Sequence, residues 1–207
     1  MKRPRKAAAP RPDPMPNPIP RSDWARRFVL GVAVWLVPAV IVWIIVTPFY
    51  NRFLTTSAEN LVRVFESPNV TRLTVHDRHH LVIQRSDYSL PDKPWLASIR
   101  TSDTHFPLIM LAAFFLAVPG ISWRRRLENL GWALLIAVFF HIVSLFFRVN
   151  FVYATQLGAF SRENYGPLAS NLWGISSHLL ELPFKFALPF LLWSAFYVRQ
   201  ILPGGNR

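Results

Sequence analysis

Between Phe28 and Tyr50 the chain carries no charged side chain. At ~1.5 Å per residue, a helix of that length crosses a hydrocarbon layer ~30 Å thick. A lone run in such a layer has to be helical, because only a helix satisfies its own backbone groups there. It is too long for a signal-peptide core and no small-residue cleavage site follows it. It therefore reads as an uncleaved first transmembrane helix, 28–50, with Pro38 placed to kink it and Trp35 and Trp43 on packing or lipid-facing surfaces. Apolar stretches recur at 105–121, 130–153 and 172–201. With 52% of 207 residues hydrophobic and 16% charged, the composition indicates an integral membrane protein of one modest unit.

The charge distribution orients it. Residues 1–27 hold eight lysines and arginines against Asp13 and Asp23, with proline at positions 4, 10, 12, 14, 16, 18 and 20. Proline at that density forbids a helix, so the segment reads as a disordered, basic, Pro-rich cytoplasmic tail. Trp123-Arg124-Arg125-Arg126, inside the stretch 122–129, is a basic inner loop. The net charge of +12 would suggest nucleic acid in a soluble chain, but here it follows the positive-inside bias. The expected topology places both termini in the cytoplasm of a bacterial inner-membrane protein. The lipid bilayer is then a partner and nucleic acid is not.

Residues 51–104 form the polar interlude. Leu54, Ala58, Leu61 and Phe65 share a helical face, which suits a helix lying in the membrane interface, ended by Pro68. Then 70–75 and 80–85 are short, β-branched and partly alternating, and read as a β-hairpin packed on that helix or on a partner. The predicted fold class is all-α transmembrane: a four-helix membrane bundle (helices 2–4 within 105–202) with a small extracytoplasmic helix plus β-hairpin.

The polar residues inside the apolar runs carry the functional signal. His141, Ser144 and Arg148 fall at i, i+3 and i+7 of a helix and form one stripe. Counted from Leu130, His141 sits ~17 Å along, near mid-membrane, and Arg148 ~27 Å along, near the far face. Ionisable groups at such depths are costly unless paired. His178, Glu181 and Lys185 repeat the same spacing on the last helix, and Glu181 is a suitable bidentate acceptor for Arg148. Ser102, Asp103 and His105 stand at the outer mouth of the second helix. The expected site is an outer-leaflet pocket of Arg148, His178, Glu181, Ser102, Asp103 and His105. It would bind a peptide or a lipid headgroup, or else simply clasp three helices. His141 by itself reads as a packing histidine.

Other signals are weak. His76, His79 and His80 lack a further ligand and read as a solvated turn rather than a metal site. Asn69-Val70-Thr71 matches a glycosylation sequon of the kind that arises by chance. With no cysteine in the chain, disulfides, thiolate metal sites and a cysteine nucleophile are excluded. No cofactor is indicated.

The order of parts resembles the exosortase/archaeosortase family. TSDTHF (101–106) stands where that family has its cysteine motif, WRRRLEN (123–129) resembles its basic loop, SLFFR (144–148) its N-x-x-R, and SSH (176–178) its histidine motif. Only Arg148 and His178 carry over as identities. The nucleophile is missing and Leu145 replaces the asparagine, so thiolate transpeptidation is chemically excluded. The resemblance implies a Cys-less relative, an exosortase-associated membrane protein. It would be a non-catalytic accessory binding a peptide tail or a sorting enzyme. Two alternatives remain: a structural subunit of a larger membrane complex, and a Cys-less hydrolase using Ser102 or Asp103 with His178.

Overall fold

The computed structural model describes residues 21–77, 80–88, 94–100 and 102–201, so of the basic tail expected over 1–27 the part up to residue 20 lies outside the described residues and 21–27 form the start of a helix instead. In order, the elements are α1 (Arg21–Val64), β1 (Thr71–Val75), β2 (His80–Arg85), β3 (Ala97–Arg100), α2 (Ser102–Ala117) and α3 (Trp123–Thr155). Two further helices follow, α4 (Ala159–Asn164) and α5 (Pro167–Leu179). A π turn (Leu180–Phe184) then leads directly into α6 (Lys185–Ile201).

Two helices are long and apolar enough to cross a membrane, Asp23–Val64 and Trp123–Thr155, and His105–Ala117 and Lys185–Val198 are shorter apolar helices. The most apolar window of α1 is not buried at all. Val29, Ile41, Ile44 and Phe49 all point away from the protein, a surface that suits lipid rather than water. α3 buries instead a single stripe at Leu130, Ala133, Ala137, His141, Leu145, Val149 and Val152, the 3–4 spacing of a helix with one packed face.

The interfacial helix expected after Tyr50 is not a separate element. α1 continues for 44 residues through Pro38 and Pro48. Its face changes from lipid-like to packed at Asn51, Leu54, Thr55, Ala58 and Val62. Leu54 and Ala58 are buried as the spacing required, but Val62 takes the place expected of Phe65, which is exposed. The second half of the helix runs on from the apolar part as a mast on which the sheet packs. Its end is closed by the Asn69 side-chain amide, which lies within 2.9 Å of the Arg63 carbonyl and 3.0 Å of the Glu66 carbonyl and donates to both once its nitrogen is turned toward them.

The hairpin is present as β1 and β2, paired antiparallel from Thr71↔Arg85 to Val75↔Leu81. A third strand, β3, extends it in the order β1-β2-β3. The two edges differ. Along β1, α1 and the turn after it supply side chains to the backbone: Glu59 accepts from the Leu73 N–H (2.7 Å), Glu66 of the turn accepts from the Thr71 N–H (3.0 Å), and Arg63 donates to the Thr71 carbonyl (3.0 Å). That covering protects an edge that would otherwise pair with another chain. Thr71 also shares a hydrogen bond with the Tyr153 hydroxyl (2.7 Å), and the Arg85 guanidinium lies 4.8 Å from the ring centres of both Tyr153 and Phe160. The sheet is thus fastened to the upper end of α3.

At the opposite end of the bundle, Trp24, Phe28, Phe114 and Trp193 join α1, α2 and α6 through ring contacts of 5.1–6.5 Å. Gly31 lets α1 approach α2 closely, since a Cβ there would sit 3.2 Å from the Ala117 Cβ and carbonyl. The stretch expected as a basic loop over 122–129 is helical from Trp123 as the start of α3, where Arg126 turns inward and donates to the carbonyls of Leu116 (2.7 Å) and Ile121 (2.9 Å), closing the C-terminal end of α2. The stretch between the apolar runs 130–153 and 172–201 contains α4 and the first turn of α5, which Pro167 opens at a position where its missing N–H costs nothing.

Candidate functional site: a charged cavity at the sheet end of the bundle

Arg148 and Glu181 meet. The Arg148 Nη1 donates to a Glu181 carboxylate oxygen, and both side chains are about one-third exposed. Leu145 and Val149, the buried neighbours of Arg148 on α3, fix which way it points. Glu181 lies in the π turn, where Pro183 has no N–H to continue the α-helical ladder, and the chain widens by one residue. The turn interrupts the expected i, i+4 alignment of Glu181 with Lys185 and leaves Glu181 facing α3. Phe151 completes the group: its ring centre lies 5.8 Å from the Arg148 guanidinium and 5.5 Å from the His178 imidazole, which is itself exposed.

Beneath this pair is a cavity of about 60 Å³. His141, Ser144 and Arg148 of α3, Ser177 of α5, Glu181, Lys185, and Ile99 and Arg100 of β3 all contribute to its wall. The polar stripe read from α3 therefore faces one enclosure. His141 is buried, and its Nδ1 lies 2.6 Å from the Tyr50 hydroxyl. Tyr50 closes the charge-free run of α1, so His141 stands at the end of that run, not midway along it. α3 begins at Trp123, stacked on Trp35 (5.3 Å), seven residues before the Leu130 from which the depth of His141 was counted.

His105 lies apart from this cavity. It is buried, its Nε2 is 2.9 Å from the Asn51 side-chain oxygen, and its ring packs on Trp43 and Tyr50. It lines a separate recess with Trp43, Thr47 and Asn51, on the α1–α2 side. Ser102 and Asp103 open α2 three and two residues before it, but their side chains lie outside the described residues. Of the six site residues expected, the structure gathers Arg148, Glu181 and His178 and sets His105 elsewhere. Sequence reasoning missed Tyr50, Phe151, Ser177 and Arg100. Nothing local marks Tyr50 as the partner of a histidine 91 positions away. Phe151, by contrast, follows Arg148 at i+3 and was findable. Among the described residues no group of His, Asp and Glu is arranged to hold a metal ion.

A mostly helical protein with two helices of membrane-crossing length, capped by a small antiparallel sheet and with Arg148, Glu181 and His178 gathered near that sheet, has the make-up of a membrane protein. The chain belongs to the exosortase H-associated membrane protein family, whose pattern matches residues 22–200. The match is to the associated proteins and not to the sorting enzymes, which narrows the layout resemblance accordingly. No curated protein and no solved structure matches the chain.

Proposed function

We infer that this protein is a non-catalytic accessory to an exosortase H and engages that enzyme or its peptide substrate at the sheet end of the bundle. The observation that carries the reading is the Arg148–Glu181 pair with Phe151 and the exposed His178 beside it. A purely structural ion pair gains nothing from an exposed imidazole at its rim. A docking site does, because a partly exposed arginine with an aromatic neighbour is a common anchor for carboxylate groups and extended chains. The family name supports the partner, and the absence of cysteine supports the non-catalytic part.

The test is co-purification of the chain with an exosortase H of the same host. The wild type is expected to bring the enzyme down from solubilised membranes. Arg148→Ala is expected to lose it while still inserting at wild-type level, and undiminished co-purification by that variant ends the reading.

The alternative of a permanent subunit in a larger membrane complex has one observation in its favour. Leu168, Leu172, Ile175 and Leu179 form an exposed apolar stripe along α5, suited to a neighbouring helix. A stoichiometric assembly that survives Arg148→Ala would support it.

A further inference from the structure

His141 is 3% exposed, its Nδ1 is engaged by Tyr50, and its Nε2 has no hydrogen-bond partner. A buried polar atom in that condition calls for a ligand or a water to complete it. His141 lines the cavity beside Ser144 and Arg148, and Nε2 is the ring nitrogen that Tyr50 leaves without a partner. The same wall carries Arg100, Arg148 and Lys185 against one carboxylate, Glu181, together with the hydroxyls of Ser144 and Ser177. A half-open cleft that carries three basic side chains and two hydroxyls among apolar ones such as Leu54, Phe140 and Leu180 suits an oxyanion joined to an apolar body.

Its level identifies which oxyanion. Tyr50 ends the charge-free run of α1 and touches His141, and β3 of the polar cap forms the other side of the cavity. That is where hydrocarbon gives way to headgroups. Leu179 and Phe184, flanking the cavity residues Leu180 and Glu181, are 48% and 44% exposed and offer an apolar track on the outside of the π turn. A volume of about 60 Å³ admits a phosphate but not a whole lipid, so acyl chains have to lie outside. We propose that this cavity holds the headgroup phosphate of an anionic phospholipid, with its chains along Leu179 and Phe184. Basic pockets between membrane helices favour such headgroups for the same electrostatic reason. The proposal is independent of which protein docks above it.

The test is native mass spectrometry of the full chain released from mixed micelles. The probes are phosphatidylglycerol, phosphatidylcholine and inorganic phosphate, each supplied separately. One phosphatidylglycerol per chain is expected, retained about tenfold more strongly than phosphatidylcholine, whose choline meets three cations. His141→Phe should lower that retention by about tenfold, the scale of one lost hydrogen bond to a charged group. Should that variant not fold, Arg100→Gln, on the exposed end of β3, serves instead and should lower retention severalfold. Equal retention of the two lipids overturns the proposal, as does occupancy by inorganic phosphate with no lipid retained. Displacement of phosphatidylglycerol by a short peptide with a free terminal carboxylate, and not by its amide, overturns it in favour of a peptide site.

Discussion

At the scale of single residues, the Arg148–Glu181 pair decides between a clasp and a binding site. Both side chains remain about one-third exposed, so solvent screening limits the pair to about 1 kcal/mol of stability. Arg148→Ala should therefore shift the thermal unfolding of detergent-solubilised protein only slightly while removing partner binding. A large stability loss would mean the pair is mainly a clasp. His141 behaves oppositely: His141→Phe leaves the buried Tyr50 hydroxyl without its partner, and ~1–3 kcal/mol of destabilisation is expected in the same assay. In the polar cap, the Arg85 guanidinium, which donates to both Asp87 oxygens (2.9 and 2.8 Å), holds that carboxyl below its ordinary range. A carboxyl depressed in the folded state stabilises above its unfolded pKa of about 3.9 and loses that contribution as pH falls through the lower folded value. Asp87 is partly exposed, so the effect stays below ~1 kcal/mol. The wild type and Asp87→Asn should differ in unfolding above about pH 5 and converge in strong acid. A gap that instead widened on acidification would contradict the assignment.

At the scale of elements, close packing of α1 on α2 rests on Gly31. Gly31→Leu places a branched side chain where even a Cβ stands 3.2 Å from Ala117. Overpacking of that kind costs ~1–3 kcal/mol, and an unchanged melting temperature would show that the two helices separate freely. The same elements show what the sequence could and could not disclose. β1 and β2 were legible because β-branched alternation and a polar turn are local signals. β3 was not: Ala97–Arg100 is four residues long, follows a proline-rich stretch, and is a strand only because β2 offers it an edge. The continuity of α1 past Tyr50 was hidden for a related reason. Its amphipathic second half looked like an interfacial helix, and only the sheet packed on Leu54, Ala58 and Val62 makes it a mast. The meeting of Arg148 with Glu181 was foreseen from charge and spacing alone. His105 was misplaced because nothing in the sequence told which face of α2 meets Asn51.

For the molecule as a whole, the account requires the sheet end and the basic loop to lie on opposite sides of the membrane. The absence of cysteine makes this directly measurable. A single cysteine at Ser86 should react with a membrane-impermeant maleimide in intact cells, and one at Arg125 only after lysis. The reverse pattern would invert the orientation read from the arginines.

The most direct test of the central claim is a charge exchange at the cavity mouth, with co-purification of the exosortase H as the readout. Arg148→Glu and Glu181→Arg together rebuild an ion pair across α3 and the π turn but reverse the charge offered on each side. The account predicts that the double variant inserts and melts like the wild type yet fails to bring down the enzyme. Full recovery of co-purification by the exchanged pair would show that Arg148 and Glu181 only hold helices together, and would contradict a docking role.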